Sequence, residues 1–276
     1  MNGKRQNEGV VCDNVRVVKM KYTDSNLYDR YFKEGKQYGS GKFTFVNGVT
    51  YEGEFRQGKF QGNGNIKYTD GATYIGELEE GMYHGKGEYK YASGASYIGD
   101  FQYGNRHGCG IYMFADGTIY EGNFIEGKRT GYGKMHYTDG DKYTGFFKNG
   151  KKDNQGVYEF SNGGIYVGEF KDNMYCGQGI MKFGDGHIYI GEFKNNMCNG
   201  EGLMKYTNGD IYTGQFKDNM RDGNGLMEYF DGDTYSGEFK ENSHNGKGIY
   251  TCNGMYIYEG FYKNGEPYGE GTFKPV

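Results

Sequence analysis

The sequence predicts an all-β protein: an elongated, twisted, single-layer array of about eleven antiparallel β-hairpins, each written by 23 residues. Three observations predict it. A tyrosine recurs at a constant interval, the residues around it alternate with period two, and glycine or asparagine marks the places where tight turns are needed. The tyrosines are Tyr28, Tyr51, Tyr74, Tyr97, Tyr120, Tyr143, Tyr166, Tyr189, Tyr212, Tyr235 and Tyr258, each 23 positions after the one before. Self-similarity at a fixed period is the signature of a repeat architecture, in which each unit leans on its neighbours.

The elements follow in chain order. Residues 1–14 read as a flexible tail. Residues 15–27 open the array with half a repeat, in which "VRVVKMKY" carries Met20 and Tyr22 at the places of a second strand. Each full repeat then starts at its tyrosine. Tyr-x-Gly-x-Phe alternates with residues such as Glu and Lys, which makes a strand. Seven residues after the tyrosine stands Gly or Asn in all eleven copies, the pair that tolerates positive φ in a two-residue hairpin turn.

A second strand follows, as in "GNGNIKY" (62–68), and then a turn such as "TDG" (69–71). Two glycines, eleven and thirteen residues after the tyrosine, sit inside this second strand and are broken only at Asn154. Their expected use is to let the ring of a neighbouring repeat lie across the backbone. At ~4.8 Å per strand, eleven repeats would extend roughly 100 Å before twist. Near the end, "GIYTCNGMYIYEG" (248–260) carries one extra residue before Tyr258, read as a local bulge. Pro267 and Pro275, the only prolines, fall in the last copy, where proline blocks edge-to-edge pairing. No linker interrupts residues 15–276.

Composition narrows the function classes. The chain has 276 residues, with 52 glycines, 30 tyrosines, 19 phenylalanines and no tryptophan. So many aromatics argue against disorder. A net charge of −4 offers no basic excess for nucleic acid. No apolar run approaches the roughly 20 residues that span a bilayer, and the first residues lack the pattern of a signal peptide. Cys12, Cys109, Cys176, Cys198 and Cys252 are odd in number and irregularly spaced, which suits free thiols in a reducing cytoplasm rather than disulfides or zinc.

"YEGEFRQGKFQGNG" (51–64) and "YTGQFKDNMRDGNG" (212–225) resemble the MORN repeat (membrane occupation and recognition nexus), and the resemblance covers about residues 15–276. It implies a row of β-hairpins with a groove along one side. Arrays of this family occur beside lipid-kinase, methyltransferase and exchange-factor domains, in membrane-bridging junctophilins, and nearly alone in cytoskeletal and ciliary proteins such as radial-spoke heads. The chain looks like the stand-alone kind. The resemblance therefore implies a non-catalytic scaffold of a cytoskeletal, ciliary or axonemal assembly, holding a helix or extended peptide of another protein in its groove.

No catalytic, cofactor or metal constellation emerges. His84 and His107 share a repeat phase but stand about two strand spacings apart, roughly 9–10 Å. No Walker sequence is present, and "DGD" at 139–141 and 231–233 is too short for a calcium loop.

Two surfaces are candidates for partners. On the face opposite the Tyr/Phe ladder, later copies carry Val157, Ile180, Leu203, Leu226 and Ile249 where early ones carry Lys42, Asn65 and Glu88. Ile165, Val167, Ile188, Ile190 and Ile211 lie beside them, and Met174, Met197 and Met220 stand on the turns. A sheet apolar on both faces needs a cover, so this surface is expected to dock another protein or, as a homodimer through the C-terminal half, itself. The alternative is self-burial by curling. The second surface is a lysine row, Lys148, Lys171, Lys194, Lys217, Lys240 and Lys263, facing Glu54, Glu77, Glu169, Glu192 and Glu238 of the repeats. It reads as a self-neutralising ladder or, alternatively, as a peripheral-membrane site for anionic phospholipid. An accessory role beside a separate enzyme is the third option.

Overall fold

In the computed structural model of the protein, the described residues are 11–12, 15–21 and 26–276, with side chains from residue 26 onward. The tail expected over residues 1–14 lies outside them except for Val11–Cys12, a short strand paired with the next, and so does Tyr22. The chain forms two compact units, one ending at Thr138 and the other running from Asp139 to Val276. Both are all-β, with no helix among the described residues.

In the first unit the strands pair antiparallel in chain order. The opening half repeat is present as Val15–Lys21, and Met20 stands opposite Tyr28 as the phase requires. The hairpin of Tyr51 shows the plan. Thr50–Arg56 runs to a turn at Gln57-Gly58, where φ is +54° and +85°. Two positive values make a type I′ turn, whose twist suits an antiparallel pair. Lys59–Lys67 returns, and the chain turns again as the Tyr68 N–H bonds the Ala72 carbonyl at 2.9 Å. Asp70 Oδ1 accepts the Ala72 N–H at 2.9 Å, which is why Asp-Gly recurs there.

The core is the tyrosine row. Tyr51 is fully buried, its hydroxyl donates to the Glu54 carbonyl at 2.7 Å, and its ring meets Phe55 edge-on at 5.1 Å. Tyr28 likewise meets Phe55 of the following repeat at 4.9 Å, so each phenylalanine belongs to two repeats. The glycine room is used differently from the expectation. A Cβ on Gly64 would lie 2.3 Å from the ring of Tyr51, the tyrosine of its own repeat. The ring crosses its own hairpin, and it is the phenylalanine that reaches across repeats.

The other paired glycine has a second task. At Gly62 φ is +62° and the register shifts between Gly53 and Glu54, so the second strand carries a bulge in each hairpin. The carboxylate at plus three covers it: Glu77 Oε1 accepts the Lys86 N–H at 2.9 Å and Asp100 Oδ2 that of Cys109 at 3.0 Å. A Cβ on Gly85 would lie 2.5 Å from the Glu77 carboxylate. The expected charge ladder is therefore, on its acidic side, a set of bulge caps.

The second unit repeats the plan in antiparallel chain order. Asn154, with φ +63°, replaces the bulge glycine. The extra residue before Tyr258 makes no bulge. It is absorbed by a ten-residue strand, Ser243–Cys252, which pairs with Tyr256–Lys263 without a slip. The last strand, Glu266–Pro275, is exposed throughout, and both prolines sit on it.

Candidate binding surfaces

The tyrosine face of the first unit carries a second layer of rings. After the I′ turn the residue nine beyond the tyrosine comes opposite the phenylalanine, as Phe60 does Phe55. Its side chain therefore lies on the buried tyrosine. Phe60 stacks on Tyr51 at 3.9 Å and Tyr83 on Tyr74 at 4.0 Å. The residue seventeen beyond the tyrosine, on the same face, extends the layer. Tyr89 meets Tyr91 at 4.4 Å, Tyr91 meets Tyr112 at 6.0 Å, and Tyr112 meets Phe114 at 4.7 Å. Tyr68 and Tyr83 join through their hydroxyls. The rings of this second layer, unlike the tyrosines beneath them, remain partly exposed.

Two arginines continue this strip. The Arg106 guanidinium lies 4.7 Å from the Tyr112 ring centroid and donates to the Gly127 carbonyl at 2.8 Å. That of Arg129 lies 5.3 Å from Phe114 and 5.5 Å from Tyr120. Burial, and to a lesser degree the charge of Arg106, lowers the Arg129 pKa. Guanidinium on aromatic faces with restricted water is a strong point of attraction for carboxylate.

In the second unit the same positions hold Lys152, Tyr175, Cys198, Arg221 and His244. Burial brings the Lys152 pKa down to about 8, against the opposing charge of Asp141, while its ammonium sits 4.3 Å from the Tyr158 ring. His244 stacks on Tyr235 at 3.6 Å, and its Nε2 is 3.0 Å from the Tyr229 hydroxyl. Burial first, and Arg221 second, bring its pKa down to about 4. Arg221, Tyr206, His187 and Asp210 line a shallow cleft.

The opposite face of the second unit holds the aliphatic residues singled out from the sequence. Cross-strand partners run Val157, Val167, Ile180, Ile190 and Leu203 without a break, then Thr213, Leu226, Ser236 and Ile249. Val167, Ile180 and Ile190 are 44%, 46% and 43% exposed. Self-burial is thus not what this face does within the unit. Ile165, Ile188 and Ile211 form a parallel row in which Lys182 and Lys205 alternate with them.

Met174, Met197 and Met220 do not join these rows. They stand opposite Lys171, Lys194 and Lys217, four residues or about 13 Å along the strand. Lys148, Lys171, Lys194, Lys217, Lys240 and Lys263 are all exposed at strand ends. His84 sits 3.3 Å from Glu79, and no group of three or more metal-ligating side chains occurs among the described residues.

The plus-nine side chains are the functional candidates that sequence reasoning passed over. They are Gln, Phe, Tyr, Arg, Arg, Lys, Tyr, Cys, Arg, His and Pro in successive copies, so no period exposes them. The aromatics at plus seventeen do recur, from Phe45 through Tyr68 and Tyr91 to Tyr229, and that signal was available.

The sequence profile of the MORN repeat matches residues 31–50, 51–73, 74–96, 97–119, 120–142, 143–165, 166–188, 189–211, 212–234, 235–254 and 258–274. No curated protein sequence matches the chain. Among solved structures, the chain is similar to the TCP10 domain of Danio rerio CPAP in complex with a peptide of STIL. Identity there is 10% and the TM-score 0.45, over 84% of this chain and 97% of that one. The Drosophila melanogaster SAS-4 TCP domain, in complex with a proline-rich motif of Ana2, gives 11% and 0.36 over 70% and 99%. At these levels the likeness is one of β-sheet fold.

Proposed function

We propose, from the premise that this chain belongs to the MORN-repeat family, that it is a non-catalytic scaffold that holds segments of other proteins along its tyrosine face. The observation that carries this reading is the run of partly exposed rings from Tyr68 to Phe114 beside the guanidiniums of Arg106 and Arg129. Rings with polar rims supply contact area at low entropy cost. The two cations select the sign of the partner. The fitting segment is a helix or extended peptide with apolar side chains and at least one carboxylate. The setting that the family implies is a cytoskeletal or ciliary assembly.

Selection of binders from a random peptide library on the whole protein tests the reading. Selected peptides should be acidic, and Tyr91→Ala with Tyr112→Ala should weaken them about tenfold or more, since aromatic anchors dominate such contacts. Binders indifferent to both changes would refute it.

A second reading has its own observation. Six consecutive repeats expose a lysine at one strand end, and three of these lysines stand opposite a methionine. A basic row with flexible apolar neighbours suits an anionic lipid surface. Vesicles with and without phosphatidylserine, at low and high salt, separate it from the first reading: charge-independent or absent cosedimentation disposes of the lipid role.

A further inference from the structure

Four rows cross the outer face of the second unit between Ile165 and Lys217. The outermost, Lys171, Met174, Lys194, Met197 and Lys217, lies at the strand ends, and the other three form the candidate surface. The middle row is Val167, Ile180, Ile190, Leu203 and Thr213, in direct cross-strand register. On one side lies the row of Ile165, Lys182, Ile188, Lys205 and Ile211, with two positive charges and no negative one. On the other lies the row of Glu169, Gln178, Glu192, Glu201 and Gln215, with three negative charges and no positive one. Glu169 accepts the Gln178 N–H at 3.4 Å, and Glu201 accepts from Gln215 at 3.1 Å, which holds this row in line. Lys182, Lys205, Glu192 and Glu201 are exposed.

An apolar strip with a basic rim on one side and an acidic rim on the other is complementary to itself in only one sense. Two copies can stack these faces, rows aligned, about a two-fold axis along the strands or along the rows. The axis along the strands sets lysine row on lysine row and glutamate row on glutamate row. The axis along the rows sets each lysine row on the glutamate row of the other copy, with aliphatic row on aliphatic row. We propose that this face binds a second copy of the chain in that second sense, so that both copies run their repeats in the same direction.

Sheets packed this way sit about 10 Å apart with strands nearly aligned. Five strands at ~4.8 Å and three rows at ~7 Å cover roughly 500 Å² per copy, or about 1,000 Å² in all. That is below the roughly 1,200 Å² of stable complexes, so the dimer forms only as concentration rises. The proposal is independent of the tyrosine-face reading, because Tyr91→Ala with Tyr112→Ala should leave it unchanged.

Sedimentation equilibrium of the whole protein, from micromolar to near-millimolar concentration, gives the test. The wild type should pass from monomer to dimer. Ile180→Lys with Ile190→Lys should remain monomeric with an unchanged circular-dichroism spectrum. Lys182→Glu with Lys205→Glu should also lose the dimer, and Glu192→Lys with Glu201→Lys added to it should restore it. A photo-crosslinking residue at Val167 then reads direction: it should join the neighbourhood of Val167 in an isotopically distinct copy. Crosslinking to Thr213, a monomer at every concentration, or a dimer indifferent to the charge changes would each overturn the proposal.

Discussion

The side-chain oxygen of Asn219 accepts the backbone N–H of Cys198 at 2.7 Å, while the Asn219 N–H donates to the Cys198 carbonyl at 3.0 Å. This doublet ties the turn of one hairpin to the strand of the hairpin before it. It recurs between Asn173 and Lys152, Asn196 and Tyr175, and Asn242 and Arg221. Gly58, at the same phase, makes only the main-chain bond, to Gln37 at 3.1 Å.

Asn219→Gly keeps a residue at ease with φ near +70° and removes one bond between repeats. The cost should be about 1 kcal/mol, read as roughly fivefold faster hydrogen exchange at the Cys198 amide. Asn219→Ala should cost about 1 kcal/mol more, because alanine is strained at positive φ. Equal exchange in all three proteins would show that the side-chain bond contributes nothing.

Gly64→Ala and Gly71→Ala should differ sharply. A Cβ at Gly64 meets the buried Tyr51 ring at 2.3 Å, whereas nothing lies within 4 Å of one at Gly71. The first should destabilise by about 3 kcal/mol or more, through displacement of a core ring. The second carries only the strain of φ +95°, about 1 kcal/mol. Urea unfolding followed by tyrosine fluorescence ranks them, and a reversed order would contradict the described packing.

His244 should make the protein acid-sensitive. Its pKa is brought down from 6.5 to about 4 by burial, so between these values the unfolded chain binds a proton that the folded one refuses. Stability is then complete above about pH 6.5 and falls as pH drops toward 4, by on the order of 2 kcal/mol once solvent screening of the half-buried ring is allowed for. His244→Phe, which copies Phe60 of an earlier repeat, should flatten this window in melts taken at a series of pH values. A wild type already flat there would reject the assignment.

Glu77→Gln should be nearly neutral and Glu77→Ala should cost about 1 kcal/mol, because the bulge needs an acceptor rather than a charge. Nature has tried the exchange at Gln215, whose Oε1 accepts the Asn224 N–H at 2.9 Å. Thermal melts at low and high salt decide this. A large loss in Glu77→Gln that salt abolishes would point to charge instead.

The strands, the I′ turns and the tyrosine core were legible because each is enforced at a fixed phase by a residue with few substitutes. Tyr51, Gly58 and Asp70 announce themselves by recurrence. The bulge was not legible. Gly62 looks like Gly64 in the sequence, yet one serves backbone conformation and the other a ring, and only register separates them. The outer aliphatic residues were visible as alternation. That Val167 and Ile180 share a row while Met174 stands about 13 Å away required the pairing. The plus-nine residues escaped because their usefulness lies in not recurring.

That last point reaches beyond this chain. The main-chain carbonyl at plus nine is committed to joining repeats, as at Gln37, Phe60 and Tyr83, but its side chain rests on a tyrosine that never changes. Scaffold and message are thereby written in separate letters. Exchanging one residue per repeat would spell a different recognition sequence on an untouched frame, so a new target could be addressed by editing at most eleven positions.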